Sequence, residues 1–110
     1  MVATKTLRGG ISDLVNDLVK IANNTTNASQ QTELQKLINA LMILWQQVIF
    51  DQLNTTTPDY LSAINAIGVA KESATEAKKD LDKVVDTITK ATQAAKAVDK
   101  VINFAVKLLA

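Results

Sequence analysis

Carboxylates that recur every four residues are the pattern in this sequence that could carry chemistry. A spacing of four places two side chains on the same face of a helix. Carboxylate oxygens on one face could hold a hard metal ion or act as a general acid and base. The sets with this spacing are Asp13 with Asp17, Glu72 with Glu76 and Asp80, and Asp82 with Asp86.

The residues that usually complete such a site are missing. The chain has no His and no Cys, which removes the commonest general base and the usual zinc ligands. Di-metal carboxylate bundles also need Glu-x-x-His motifs on facing helices. Lysines alternate with the later carboxylates, as on a solvated helix face. We therefore expect no catalytic residue, no metal site and no cofactor, in a protein that is not an enzyme.

Three weaker motifs also have plain structural interpretations. Gly9-Gly10 precedes a predicted helix but lies in no phosphate-binding motif, so we interpret it as a hinge. Asn-x-Thr/Ser triplets, which match the N-glycosylation acceptor sequence, begin at four positions in predicted loops. Loops rich in Asn and Thr often contain such triplets by chance, so we discount them; the positions are Asn23, Asn24, Asn27 and Asn54. Arg8 is the only Arg, and the chain from residue 58 onward contains eight Lys and seven acidic residues, so its charges nearly balance. A nucleic-acid partner is therefore not expected.

The composition indicates what must position these side chains. The chain has 110 residues, a net charge of +1, 47% hydrophobic but only 4% aromatic residues, and a single Pro. This mix favours helices in one small domain. We expect residues 1–10 to be a flexible segment and residues 11–110 to form the domain. The expected fold is all-α, a small antiparallel bundle of three to four helices with a long C-terminal helical segment.

Apolar periodicity and punctuation place the helices. Ile11, Leu14 and Leu18 begin a face that predicts a helix over 11–23. A second helix is predicted over 30–54, and its middle is apolar on almost every side, as expected of a central element covered by neighbours. Thr57 and Pro58 are typical of a helix start, so the third segment begins there and runs to about 109.

The third segment carries a heptad seam. Apolar residues follow unbroken 4-3 spacing from Tyr60 to Leu109. As one helix the segment would be about 75 Å long, against ~37 Å for the second helix. It must protrude or break, and the capping-box spacing of Ser73 and Glu76 favours a break near residue 72.

The seam and the apolar C-terminal stretch suggest a function. We expect a non-enzymatic helical interaction or assembly module that self-associates or binds another helical protein, because helix 1 alone cannot cover the seam. The candidate interaction residues are Leu81, Val84, Ile88, Val98, Ile102, Phe104, Leu108 and Leu109.

The alternative is a lipid-active or membrane-active helical protein, pore-forming-like or surface-coating. Residues 101–110 contain only Asn103 and Lys107 as polar residues, which would suit a lipid surface. The longest uncharged stretch, 37–50, is shorter than the ~20 apolar residues a transmembrane helix needs, and no signal peptide is expected. The sequence leaves the compartment, the oligomeric state and the partner open, and does not decide whether 58–109 forms one helix or two.

Overall fold

Four α-helices make up almost all of the structure. The computed structural model describes residues 7–50 and 58–102, and within these ranges it contains no strand. The helices are α1 (Leu7–Asn24), α2 (Ala28–Phe50), α3 (Pro58–Lys79) and α4 (Val84–Ile102), with a 3₁₀ turn at Leu81–Lys83 between α3 and α4. The predicted all-α bundle is confirmed, with four helices.

The helices form a ring in which α1 and α4 each pack against both α2 and α3. A three-residue turn reverses the chain between α1 and α2. Asp59 pairs with Lys100 and Ser73 with Asp86, so α3 and α4 are antiparallel. By contrast, contacts between α1 and α3 advance together along both helices, from Leu7–Tyr60 to Asp17–Lys78. These two neighbours are therefore parallel, and α2 and α4 run the other way.

Two kinds of side chain fill the core. Helices α1 and α2 contribute large aliphatic residues, whereas α3 and α4 contribute many alanines. Small residues let two helices approach closely. The buried alanines of this pair are Ala63, Ala70, Ala74, Ala77, Ala91, Ala94 and Ala95. Most of the predicted heptad seam is thus covered inside the chain, where α3 and α4 fold back on one another.

Helix α1 begins earlier than the sequence suggested. It starts at Leu7, which is buried, so residues 7–10 of the expected flexible segment are helical; residues 1–6 lie outside the described part. Gly10 is not a hinge but a contact point. A Cβ there would lie 3.1 Å from Cγ2 of Ile67, so the glycine lets α1 and α3 come close.

The break in the long C-terminal segment lies at Asp80, not near residue 72. Asp80 has extended backbone angles (φ −141°, ψ 102°), and its side chain accepts a hydrogen bond from the backbone N–H of Asp82. It thereby caps the 3₁₀ turn. Ser73, the predicted cap, lies buried within α3, where its hydroxyl contacts α4. The Ser-x-x-Glu spacing occurs there within a helix, and tertiary contacts use the serine instead.

Helix α2 is not the central element that its apolar middle suggested. It packs on α1 and α4 and keeps an outer face, on which Met42 and Ile43 are about 40% exposed. Because the third segment breaks into two helices, four helices share the core and each retains a solvent side. Trp45 is partly buried, and the Arg8 guanidinium lies 4.3 Å from its ring centroid, which links α1 to α2. Within the described residues, no helix has the length and apolarity to cross a bilayer.

Candidate interaction surface

The carboxylates of α1 attach it to α3. Asp13 pairs with Lys71 at 3.1 Å, and Asp17 pairs with Lys78 at 2.9 Å. Their four-residue spacing does place them on one face, and each carboxylate on that face pairs with a lysine of α3. Throughout the described ranges, no cluster of three or more acidic side chains is arranged to hold a metal ion.

Asp86 belongs to a polar network between α3 and α4. Its carboxylate accepts hydrogen bonds from the Ser73 hydroxyl at 2.8 Å and from the Lys90 ammonium at 3.1 Å. The bond from Ser73, followed by that from Lys90, lowers the pKa of Asp86. Because an ionised carboxylate only accepts, Ser73 donates to Asp86. The buried Thr87 hydroxyl lies 2.9 Å from the Ser73 oxygen and 3.2 Å from the Lys83 carbonyl oxygen, and both are acceptors for its one hydrogen. This network joins the two helices.

The remaining carboxylates of the predicted sets do not converge. Glu72, Glu76 and Asp82 are exposed, and Asp80 serves as the cap described above. They form a solvated face with the neighbouring lysines.

The predicted interaction residues are dispersed by the fold. Val84 and Val98 are fully buried in the chain's own core, and Ile88 packs partly against it. Leu81 is the one of these described side chains on the surface, 41% exposed beside the 3₁₀ turn. The other candidates lie where no side chain is described: Ile102, Phe104, Leu108 and Leu109.

A different surface, uncharged and mainly apolar, lies on the N-terminal half of α3. Leu61 is 55% exposed there, and Gly68, also exposed, follows it by seven residues, close to two helical turns. Ile64 and Asn65 lie between them on the same side of the helix. These four residues, Leu61, Ile64, Asn65 and Gly68, are called the α3 outer face below.

A small cleft opens beside this face, between α1 and α3. Its volume is about 190 Å³, and its lining is mainly apolar; the residues around it are Gly10, Ile64, Ile67, Gly68 and Lys71. It is called the glycine cleft below. A Cβ added to Gly68 would meet no atom within 4 Å. The space above Gly68 is therefore not filled by any other residue of the chain.

The α3 outer face is also free of charge. No charged residue occurs from Tyr60 to Ala70, and the ion pair of Lys71 with Asp13 marks one end of the cleft. Depletion of charged residues is typical of the core of a protein interface. Val85 is even more exposed, at 61%, but acidic and basic residues flank it within three positions.

Sequence reasoning missed this surface although part of its signal is visible. The charge-free run is evident in the sequence. Which of its residues point outward depends on where α1 and α4 pack, and periodicity alone does not give that. The contribution of Gly10 to the cleft comes from a contact between residues far apart in the chain.

Comparisons with protein-family models, with curated proteins and with solved structures find no match to this chain.

Proposed function

We propose that this protein is a non-enzymatic helical interaction module that self-associates through the α3 outer face and the glycine cleft. The observation that carries the proposal is the exposed Leu61 next to an apolar hollow on a charge-free surface. Full burial of a leucine side chain is worth about 1.5–3 kcal/mol. A partner that covers this face would gain part of that energy and would desolvate no charged residue of the face.

The size of the cleft supports a protein side chain as its occupant. Pockets for drug-sized ligands hold about 300–1,000 Å³, which is more than the roughly 190 Å³ available here. Apolar cavities of ~150 Å³ can hold a group as large as benzene. One apolar side chain of a partner is thus a suitable occupant.

The proposed surface differs from the one suggested by the heptad seam. Val84 and Val98 are buried within the chain, so a partner cannot reach them while the bundle is folded. We therefore place the proposed contact on the outer side of α3 and not on the α4 half of the seam. A role for Phe104, Leu108 and Leu109 stays a prediction, since they lie outside the described residues.

The alternative, a lipid-active protein, is the second outcome to test. Recruitment to anionic lipid needs a cluster of basic residues next to the apolar face. The α3 outer face has no lysine between residues 60 and 70, and Lys71 at its end is already paired with Asp13. These observations favour protein over lipid as the partner.

Sedimentation velocity over a range of concentrations, combined with liposome co-sedimentation, tests the proposal. We expect the mass to rise with concentration up to high micromolar, and no binding to neutral or anionic vesicles. A monomer at every concentration would contradict self-association. If that monomer also co-sedimented with anionic vesicles, the lipid-active alternative would replace the proposal.

A further inference from the structure

We propose a two-fold symmetric dimer in which the α3 helices of two copies pack antiparallel and Leu61 of each copy enters the glycine cleft of the other. This inference rests on the proposed function and specifies the symmetry, the register and the geometry of the self-association.

The register follows from the positions of one protrusion and one hollow. Leu61 protrudes, and Gly68 lies open on the same side of α3. A two-fold axis that passes between Ile64 and Asn65 is 3.5 residues from Leu61 and 3.5 residues from Gly68. In an antiparallel pair about this axis, position 61 of one copy faces position 68 of the other, twice. An isologous interface requires this kind of self-complementarity, in which each patch contains both halves of the contact.

The absence of a side chain at Gly68 allows the two helices to approach closely. A partner leucine placed over this position meets open space rather than a Cβ. The walls it would contact are the aliphatic side chains of Ile64 and Ile67. In the single chain the cleft is open on its outer side, and the partner's leucine would close it.

The charge distribution also suits a second copy. A two-fold axis brings surface charges close to copies of themselves, so a charged patch near the axis repels its own copy. The α3 helix has no charge between Asp59 and Lys71, and the axis falls in the middle of this interval. The region around Val85 lacks this property, because Asp82, Lys83 and Asp86 surround it.

Two single substitutions test the contact by sedimentation velocity. Leu61→Ala removes the protrusion, and Gly68→Leu fills the hollow with a side chain that collides with the partner's Leu61. We expect each to weaken dimerisation at least tenfold. Val85→Ala is the matched control, since it truncates a more exposed apolar residue outside the contact and should leave dimerisation unchanged. Thermal melts followed by circular dichroism show whether each variant is folded; both changed positions are exposed.

A mixing experiment tests the register itself. When the Leu61→Ala and Gly68→Leu chains are combined, a mixed pair has one native contact, and at the other the enlarged position 68 faces the truncated position 61. We expect the mixture to dimerise more tightly than either variant alone. Absence of this recovery, when both single variants are weakened, would overturn the antiparallel register.

The two proposals fail in distinguishable ways. If both single substitutions weaken dimerisation but the mixture does not recover, the antiparallel pairing is overturned while self-association through the α3 outer face stands. If the unmodified chain associates and neither single substitution weakens it, the interface lies elsewhere, and both the α3 pairing and the surface named in the proposed function are overturned. If the unmodified chain is monomeric at every concentration, both proposals are overturned.

Discussion

The backbone N–H of Leu7 donates a hydrogen bond to the hydroxyl oxygen of Tyr60, 53 residues further along the chain, at 3.1 Å. The first N–H groups of a helix have no partner within the helix. The tyrosine oxygen supplies one for α1 and fixes its start beside the start of α3. Helix α1 begins four residues before the predicted start at residue 11 and has no acidic residue in its first turn, and the bond to Tyr60 satisfies one of its first N–H groups.

Tyr60→Phe should lower the free energy of unfolding by about 1–3 kcal/mol, because it leaves the buried Leu7 N–H without its acceptor while the ring is retained. Urea denaturation followed by circular dichroism measures the change. An unchanged midpoint and slope would mean that this amide is solvated or finds another acceptor.

Gly68→Ala and Gly10→Ala form a matched pair of helix-interior glycines. Alanine at position 68 should raise stability by up to about 1 kcal/mol, because it favours the helix and meets open space. Alanine at position 10 has the same propensity gain, but its Cβ would lie 3.1 Å from Ile67. We expect Gly10→Ala to be the less stable of the two in thermal melts at a protein concentration where the chain is monomeric, so that the proposed contact over Gly68 does not contribute. Equal melting temperatures would show that α1 shifts away without cost.

The hydrogen bond from Ser73 to Asp86 should produce a dependence of stability on pH. The folded-state pKa of Asp86 lies below its ordinary value of 3.8. Its stabilising contribution is thus fully present above the unfolded pKa and is lost as the pH falls through the lowered folded value. Since Ser73 is the largest cause, Ser73→Ala should reduce this loss.

Thermal melts of the unmodified chain and of Ser73→Ala between pH 7 and pH 2 measure this effect. The difference in melting temperature between the two should narrow as the medium becomes acidic. A constant difference across the range would show that Ser73 acts through packing and not through the charge of Asp86.

Truncation of two neighbouring residues on α2 should lower stability by very different amounts. Leu41 is fully buried, whereas Met42 is 41% exposed. Leu41→Ala should cost about 2–5 kcal/mol from lost burial and a new cavity, and Met42→Ala about 0.5 kcal/mol or less. Chemical denaturation of both variants gives the comparison. Similar costs would place Met42 in a contact that the fold of one chain does not provide.

The helical class and most helix positions follow from apolar periodicity, because apolar residues repeated at i, i+3 and i+4 are typical of a helix and not of a strand. The break at Asp80 does not follow. The residue that caps the 3₁₀ turn, Asp80, is one of many acidic residues in this segment. Ser73 and Glu76 have the spacing of a capping box and so predict a helix start more strongly, but Ser73 lies within α3 and contacts α4 instead. Periodicity also placed Val84 and Val98 on one face without indicating that α2 and α3 cover it. The candidate surface likewise depends on which side of α3 packs against α1 and α4, so the exposure of Leu61 is evident only from the folded structure.

The parallel pairing of α1 with α3 has a consequence for how the chain reaches its folded state. The α1–α2 and α3–α4 hairpins each form from segments close in sequence, whereas the Leu7–Tyr60 and Asp17–Lys78 contacts span more than fifty residues. Closing a long loop costs entropy before its contacts form. The two hairpins are therefore expected to form early and to dock later, and α1 stays uncovered on its α3 side until the second hairpin has been synthesised.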